Sequence, residues 1–105
     1  MTENEIKLKA VAALTGLRSG VQPDYVSDLL SEVIPTHFVV PVPADPQSIG
    51  LAVLGQLSQP LSALLSGFVQ AFETVAEAYD LTDPEVPTET LLQGLALMLA
   101  REDTG

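Results

Sequence analysis

The chain has 105 residues, 47% of them hydrophobic, which predicts one folded domain over residues 1–105 rather than an intrinsically disordered segment. Fourteen acidic and four basic residues give a formal net charge of −10, which argues against direct binding to nucleic acid or to an anionic membrane, since both need clustered Lys and Arg. Cysteine is absent and the acidic N-terminus lacks a secretory signal pattern, so we expect a cytoplasmic protein without disulfides.

The first predicted helix begins at Thr2, which with Glu5 has the spacing of a capping box. Gly20 is its expected end, because glycine accepts the left-handed conformation that follows many helices. Between them, apolar residues recur at helical spacing, which indicates one buried stripe. Pairs at i, i+4 join Glu3 to Lys7 and Glu5 to Lys9.

The second helix is expected to open at Pro23 and to end before Pro35, since the residue before a proline avoids helical geometry. Residues 35–46 contain four prolines and predict an extended connection. Phe38–Val40 is its only strand-like run, so we expect at most one short edge strand.

Asp45 and Pro46 predict the start of a third helix, over 46–58, and Pro60 is expected to begin a fourth, ending near Asp80. The fourth helix is amphipathic, and its expected buried side carries Leu61, Leu64, Leu65, Phe68, Phe72, Val75 and Tyr79. Residues 46–72 carry no charge, and the third helix is apolar nearly all round, which is typical of a buried helix. Polar residues in the middle of this run argue against a membrane span. They are Gln56, Ser58 and Gln59, next to Pro60.

Thr88 predicts the cap of a last helix, with residues 101–105 as a frayed tail. The fold class expected from all these signals is all-α: a compact bundle of four to five short helices with one extended proline-rich connection. The closing Asp103-Thr104-Gly105 spells the tripeptide of aspartic proteases, but catalysis needs a rigid setting that a chain end does not supply.

No reactive constellation is recognisable in the sequence. His37 is the single histidine, and no zinc-binding spacing, phosphate-binding loop or nucleophile elbow occurs. We therefore expect no enzymatic activity, no catalytic residue, no metal site and no cofactor. An apolar ligand pocket lined by Phe68, Phe72 and Met98 is a further hypothesis, although core packing is the commoner role of such residues.

Two acidic rows suggest one possible function. Like charges at i, i+4 destabilise a helix slightly, so a row of them is either a solvated face or a binding face. The alternative function is thus an inhibitor that presents carboxylates in place of phosphates to a basic, nucleic-acid-binding protein. Its candidate residues are Asp24, Asp28 and Glu32 on the second helix and Glu73, Glu77 and Asp80 on the fourth.

The apolar excess suggests the leading function. Helices of a small domain bury one face each, and the remaining apolar residues need further cover. We therefore expect a protein-protein interaction or adaptor domain that forms a homo-oligomer or joins a larger assembly. The candidate contact residues are Phe38, Leu51, Leu54 and Leu97.

Overall fold

The computed structural model describes residues 1–43 and 45–104, except for the side chains of 103 and 104. It contains four helices and no strand within these residues, which confirms the all-α class. The chain divides into two compact units, Met1–Ala71 and Phe72–Gly105, here called unit 1 and unit 2. The helices are α1 (Glu3–Ser19), α2 (Pro23–Ser31), α3 (Pro46–Asp80) and α4 (Thr88–Thr104).

Helix α1 has the two ends that its sequence predicts. The Thr2 hydroxyl accepts a hydrogen bond from the Glu5 backbone N–H at 3.1 Å, and Gly20 ends the helix with φ +83°. An L side chain is strained at this φ, so glycine is the residue suited to position 20. The Lys7 Nζ lies 3.5 Å from the Glu3 Oε1, as the predicted pair requires. Lys9 was expected to pair with Glu5 but binds Glu32, just after the end of α2. An ion pair of Lys9 thus joins the first two helices.

Helix α2 starts at Pro23 as predicted but ends at Ser31, earlier than the expected boundary at Pro35. The chain tightens after Ser31, where the Val33 N–H donates to the Leu30 carbonyl three residues back. This shorter bond is a common way to close a helix, and it brings Val33 into the core. Helix α2 thus closes by a local turn before the chain reaches Pro35.

The core of unit 1 lies where α1, the end of α2 and the middle of α3 meet. Small residues let α1 and α3 approach closely: a Cβ atom at Gly67 would stand 2.8 Å from the Ala10 Cβ and 3.0 Å from the Lys7 Cα. Ala10 is completely buried. The side chains of this core are Ile6, Ala10, Val33, Ala63 and Leu64, with Leu30 and Phe68 packed against them.

The third and fourth predicted helices are one continuous helix, so the predicted break at Pro60 is wrong. Proline inside a helix removes one hydrogen bond and costs about 3 kcal/mol. The half-buried Pro60 belongs to a stripe that runs unbroken from Ala52 to Ala71 on the side of α3 that contains the core residues. Packing along this whole stripe favours one straight continuation over a turn, since tertiary contacts outweigh local propensity.

Asp45 caps α3, as its sequence predicts. Its carboxylate accepts from the Ser48 backbone N–H at 2.9 Å and from the Ser48 hydroxyl at 2.8 Å. These bonds, the backbone one first, hold the pKa of Asp45 below its ordinary value of 3.8 because they stabilise the ionised form.

The connection between α2 and α3 is extended, as expected, but Phe38–Val40 pairs with no strand in the described chain. A side-chain amide takes the place of a strand partner. Gln56 accepts from the Val39 N–H at 2.8 Å and donates to the Val39 carbonyl at 2.6 Å. One glutamine on α3 thus satisfies both backbone groups of Val39 and fixes the connection alongside the helix.

Unit 2 consists of the end of α3, a turn and α4. Tyr79 donates its hydroxyl to the Val86 carbonyl at 2.6 Å, and Asp80 accepts from both the N–H and the hydroxyl of Thr88 at 2.9 Å. Thr88 therefore starts α4 while bonded to Asp80. The predicted frayed tail is corrected as well, because α4 continues through 101–104; Gly105 lies outside the described residues.

Candidate interaction surfaces

Helix α3 has a buried side and an exposed side within unit 1. The buried side contains Ala63, Leu64 and Gly67. At about 100° per residue, the opposite side carries leucines spaced alternately by three and four positions. We call these residues the α3 seam: Leu51, Leu54, Ser58, Leu61 and Leu65.

The four leucines of the α3 seam are 64, 61, 40 and 64% exposed, in chain order. The prediction that this uncharged segment is buried is therefore wrong: only 11% of the most apolar window of α3 is buried. The reason is geometric, since the core that includes α1 and α2 residues covers one side of α3 only. Leu51 and Leu54, two of the predicted contact residues, lie one turn apart on this exposed side.

The seam extends beyond the residues predicted for contact. Leu61 and Leu65 were expected on the buried side of a separate fourth helix, yet both are exposed. The alternating spacing from Leu51 to Leu65 is visible in the sequence, and it is the signal that identifies them. Treating Pro60 as a helix boundary concealed this pattern.

Phe38 and Leu97, the other predicted contact residues, are placed differently. Phe38 is half-buried in the connection that Gln56 fixes through Val39. Leu97 is 62% exposed on α4 in unit 2. The structure thus groups Leu51 with Leu54, whereas Leu97 belongs to the other unit.

Helix α4 exposes its whole apolar stripe. No described side chain of unit 2 is buried, including those that the sequence assigns to a core face. An apolar groove of about 330 Å³ lies beside Phe72 and Tyr79 of α3 and Leu91 and Leu92 of α4. The exposed large apolar residues of α4 are Leu91, Leu92, Leu95, Leu97, Met98 and Leu99.

The two acidic rows are each partly engaged. All six carboxylates are exposed, but one in each row is bonded within the chain. Glu32 of the α2 row binds Lys9, and Asp80 of the α3 row accepts hydrogen bonds from Thr88 at the start of α4. These bonds compete with the use of Glu32 and Asp80 in phosphate mimicry.

A groove of about 650 Å³ with a mixed polar and apolar lining lies beside the core of unit 1. Its lining includes Glu3, Glu32, Gln59 and Ser62. The Glu3 carboxylate pairs with Lys7, and the Glu32 carboxylate pairs with Lys9. In the described part of the chain, no three His, Asp or Glu side chains are arranged to hold a metal ion. His37 lies in the connection with its Nδ1 3.1 Å from the Thr36 hydroxyl.

Among the described helices, α3 alone is long and apolar enough to cross a membrane, by length and composition. Comparison with known proteins gives no further indication of function: no protein-family model, curated protein or solved structure matches the chain.

Proposed function

We propose that the protein is a non-enzymatic interaction domain that associates with further copies of itself, and that this association completes a compact helical bundle. The observation that carries the proposal is the exposure of the α3 seam. Four leucines lie side by side on the one long segment of the chain that has no charge. Contiguous apolar surface of this kind marks interaction sites.

The exposed leucines of the α3 seam would contribute hydrophobic free energy to association. Burying a leucine completely is worth about 1.5–3 kcal/mol, so a leucine that is 61% exposed, such as Leu54, leaves roughly 1 kcal/mol to be gained on association. In a symmetric dimer each residue contributes twice, about 2 kcal/mol, which corresponds to roughly 30-fold in Kd. A buried charge at this position would cost more than the lost contact.

Two other uses of these surfaces are less well supported. Phosphate mimicry needs rows of free carboxylates, and Glu32 and Asp80 are engaged within the chain. A membrane span usually has Lys or Arg at its ends, whereas this chain has none between Arg18 and Arg101. The middle of α3 also carries polar side chains that a lipid environment disfavours, Gln56 and Gln59 among them.

The test is the solution mass by light scattering on a sizing column, at low and high salt and over a range of concentrations. We expect two or more chains, with association that high salt preserves or strengthens, because salt screens repulsion between copies of charge −10. Leu54→Asp should shift the protein to monomer. Leu8→Asp is the matched control, since Leu8 is 67% exposed on α1 and lies outside the seam.

A wild-type monomer at every concentration and both salts would overturn the proposal. Association that weakens steeply with salt would point to the acidic faces instead, and exchange of Asp24 and Asp28 for Asn would then identify them. An equal loss of association in Leu8→Asp and Leu54→Asp would show that the seam has no special role.

A further inference from the structure

The α3 seam has a repeat that specifies how two helices could pair. Its residues fall at positions 51, 54, 58, 61 and 65, and the half-buried Phe68 follows after three more. This alternation of three and four is the heptad spacing by which one helix packs along another. Four of the five seam positions are leucine, and Ser58 is the exception.

The distribution of charge on α3 favours an antiparallel pair. All carboxylates of the helix lie in its last third, at Glu73, Glu77 and Asp80. A parallel pair would bring each of these to the same level as its own copy, whereas an antiparallel pair places them at opposite ends of a helix about 50 Å long, at ~1.5 Å per residue. In the antiparallel pair Glu73 would lie near the N-terminal end of the partner helix, where the positive end of the dipole is accompanied by only one carboxylate, the capping Asp45.

An antiparallel heptad pair has facing positions whose numbers add to a constant. For this seam, the alignment that gives every leucine an apolar or serine partner sets Leu54 against Leu65 of the second copy and Ser58 against Leu61. Leu51 then faces Phe68, which is half-buried in its own chain. The two-fold axis that relates the two copies then lies level with the point between Gln59 and Pro60. Each serine faces a leucine, and the same residues from both copies form the contact, as two-fold symmetry requires.

We infer that the α3 seam is the docking site for a second copy of this chain, in antiparallel orientation about the Gln59–Pro60 point. The inference rests on the proposed self-association and adds its surface and geometry. A second copy suits the site better than a basic protein, because the seam lies within residues 46–72, which offer no charge to attract one. A second copy also presents the same heptad spacing, so that two seams match each other under two-fold symmetry.

The absence of cysteine makes disulfide trapping a clean test. Leu54→Cys, carrying a mass tag, is mixed with untagged Leu65→Cys and oxidised in a glutathione buffer, and the products are separated without reductant. Facing positions bring Cβ atoms to the distance of about 4 Å that a disulfide needs. The antiparallel pair predicts mainly the mixed dimer, at least tenfold above either dimer of one variant with itself. Ser58→Cys mixed with Leu61→Cys should give the same preference.

Leu8→Cys is the control, since its exposed position on α1 matches the seam in exposure but not in location. Circular dichroism of each variant checks that the helices are retained. If Leu54→Cys and Leu65→Cys each trap dimers with themselves, the pair is parallel and the inference is wrong. If no seam variant is trapped above Leu8→Cys while the wild type scatters light as a dimer, self-association stands and its surface lies elsewhere. A wild type that is monomeric throughout overturns both proposals.

Discussion

Units 1 and 2 are both helical, yet only unit 1 has a core. In unit 1, small residues such as Ala10, Ala63 and Gly67 let backbones approach until Ile6 and Leu64 are buried. Leucine occurs at a similar frequency in both units, eleven in the 71 residues of unit 1 and six in the 34 residues of unit 2, yet no described leucine of unit 2 is buried. Hydrogen bonds from Tyr79 and to Asp80 fix its turn instead. The frequency of leucine therefore does not decide whether a unit has a core; a core also needs close contact between helices, as between α1 and α3 at Gly67.

The largest expected effect on stability comes from replacing one leucine in each unit with alanine. Leu64→Ala in unit 1 should lower the free energy of unfolding by about 2–5 kcal/mol, because it leaves a cavity among buried neighbours. Leu92→Ala in unit 2, at a residue that is 45% exposed, should cost about 1 kcal/mol or less in dilute solution. Urea unfolding followed by circular dichroism measures both.

A dependence on concentration would sharpen the comparison. If association covers α4, the cost of Leu92→Ala should rise with protein concentration, since the native state is then stabilised by mass action. A cost for Leu92→Ala equal to that for Leu64→Ala in the monomer would contradict the view that unit 2 has no core of its own.

Local chemistry explains which parts of the fold could be read from sequence. Thr2, Gly20 and Asp45 mark helix ends because each satisfies or relieves neighbouring backbone groups without help from distant residues. Pro60 did not mark a helix boundary, because packing on both sides of it outweighs the local preference of proline for the start or end of a helix. The Lys9–Glu32 ion pair joins residues far apart in sequence, so no local pattern announces it.

The candidate site was predictable only in part, for a related reason. Leu51 and Leu54 were identified because the third predicted helix is apolar nearly all round, and Leu97 because it falls opposite the apolar stripe of the last helix; all three are exposed. Leu61 and Leu65 could not be assigned to solvent without knowing that α1 and α2 cover one side of α3. Exposure depends on how many elements surround a helix, and periodicity alone reports only which residues share a face.

A second test probes the close approach that builds the core of unit 1. Gly67→Ala should destabilise unit 1 by about 1–3 kcal/mol, since the new Cβ would meet Ala10 and the Lys7 backbone at 3.1 Å or less. Gly55→Ala is the matched control on the same helix. A Cβ atom at position 55 would have no atom within 4 Å apart from the adjacent residues and the nearby backbone of its own helix. It should stabilise the protein by about 0.5–1 kcal/mol, because alanine favours helix. Equal effects of the two changes would show that α1 and α3 are not in close contact.

A third test addresses the polar bonds of unit 2. Asp80→Ala removes the acceptor for the Thr88 N–H and hydroxyl, and we expect a loss of about 1 kcal/mol because the site is exposed. Hydrogen exchange of residues 81–92 should accelerate while exchange in α1 stays unchanged. Glu77→Ala, one turn earlier on α3, is the control. Unaltered exchange at the start of α4 would mean that the turn is held by other contacts.

The smallest expected effect concerns Asp45, which begins α3 in unit 1 as Asp80 helps to begin α4 in unit 2. The pKa of Asp45 is lower in the folded chain than its ordinary value of 3.8, so its ionised form stabilises the fold. That contribution is present above about pH 4 and is lost as the pH falls through the lowered pKa. Asp45→Asn keeps a good helix cap, so its melting temperature at pH 7 should stay close to that of the wild type. The mutant should lose less stability than the wild type between pH 5 and pH 2, because its cap does not titrate, whereas Asp45→Ala should be less stable already at pH 7. Parallel acid profiles for wild type and Asp45→Asn would show that the Ser48 bonds contribute nothing to stability.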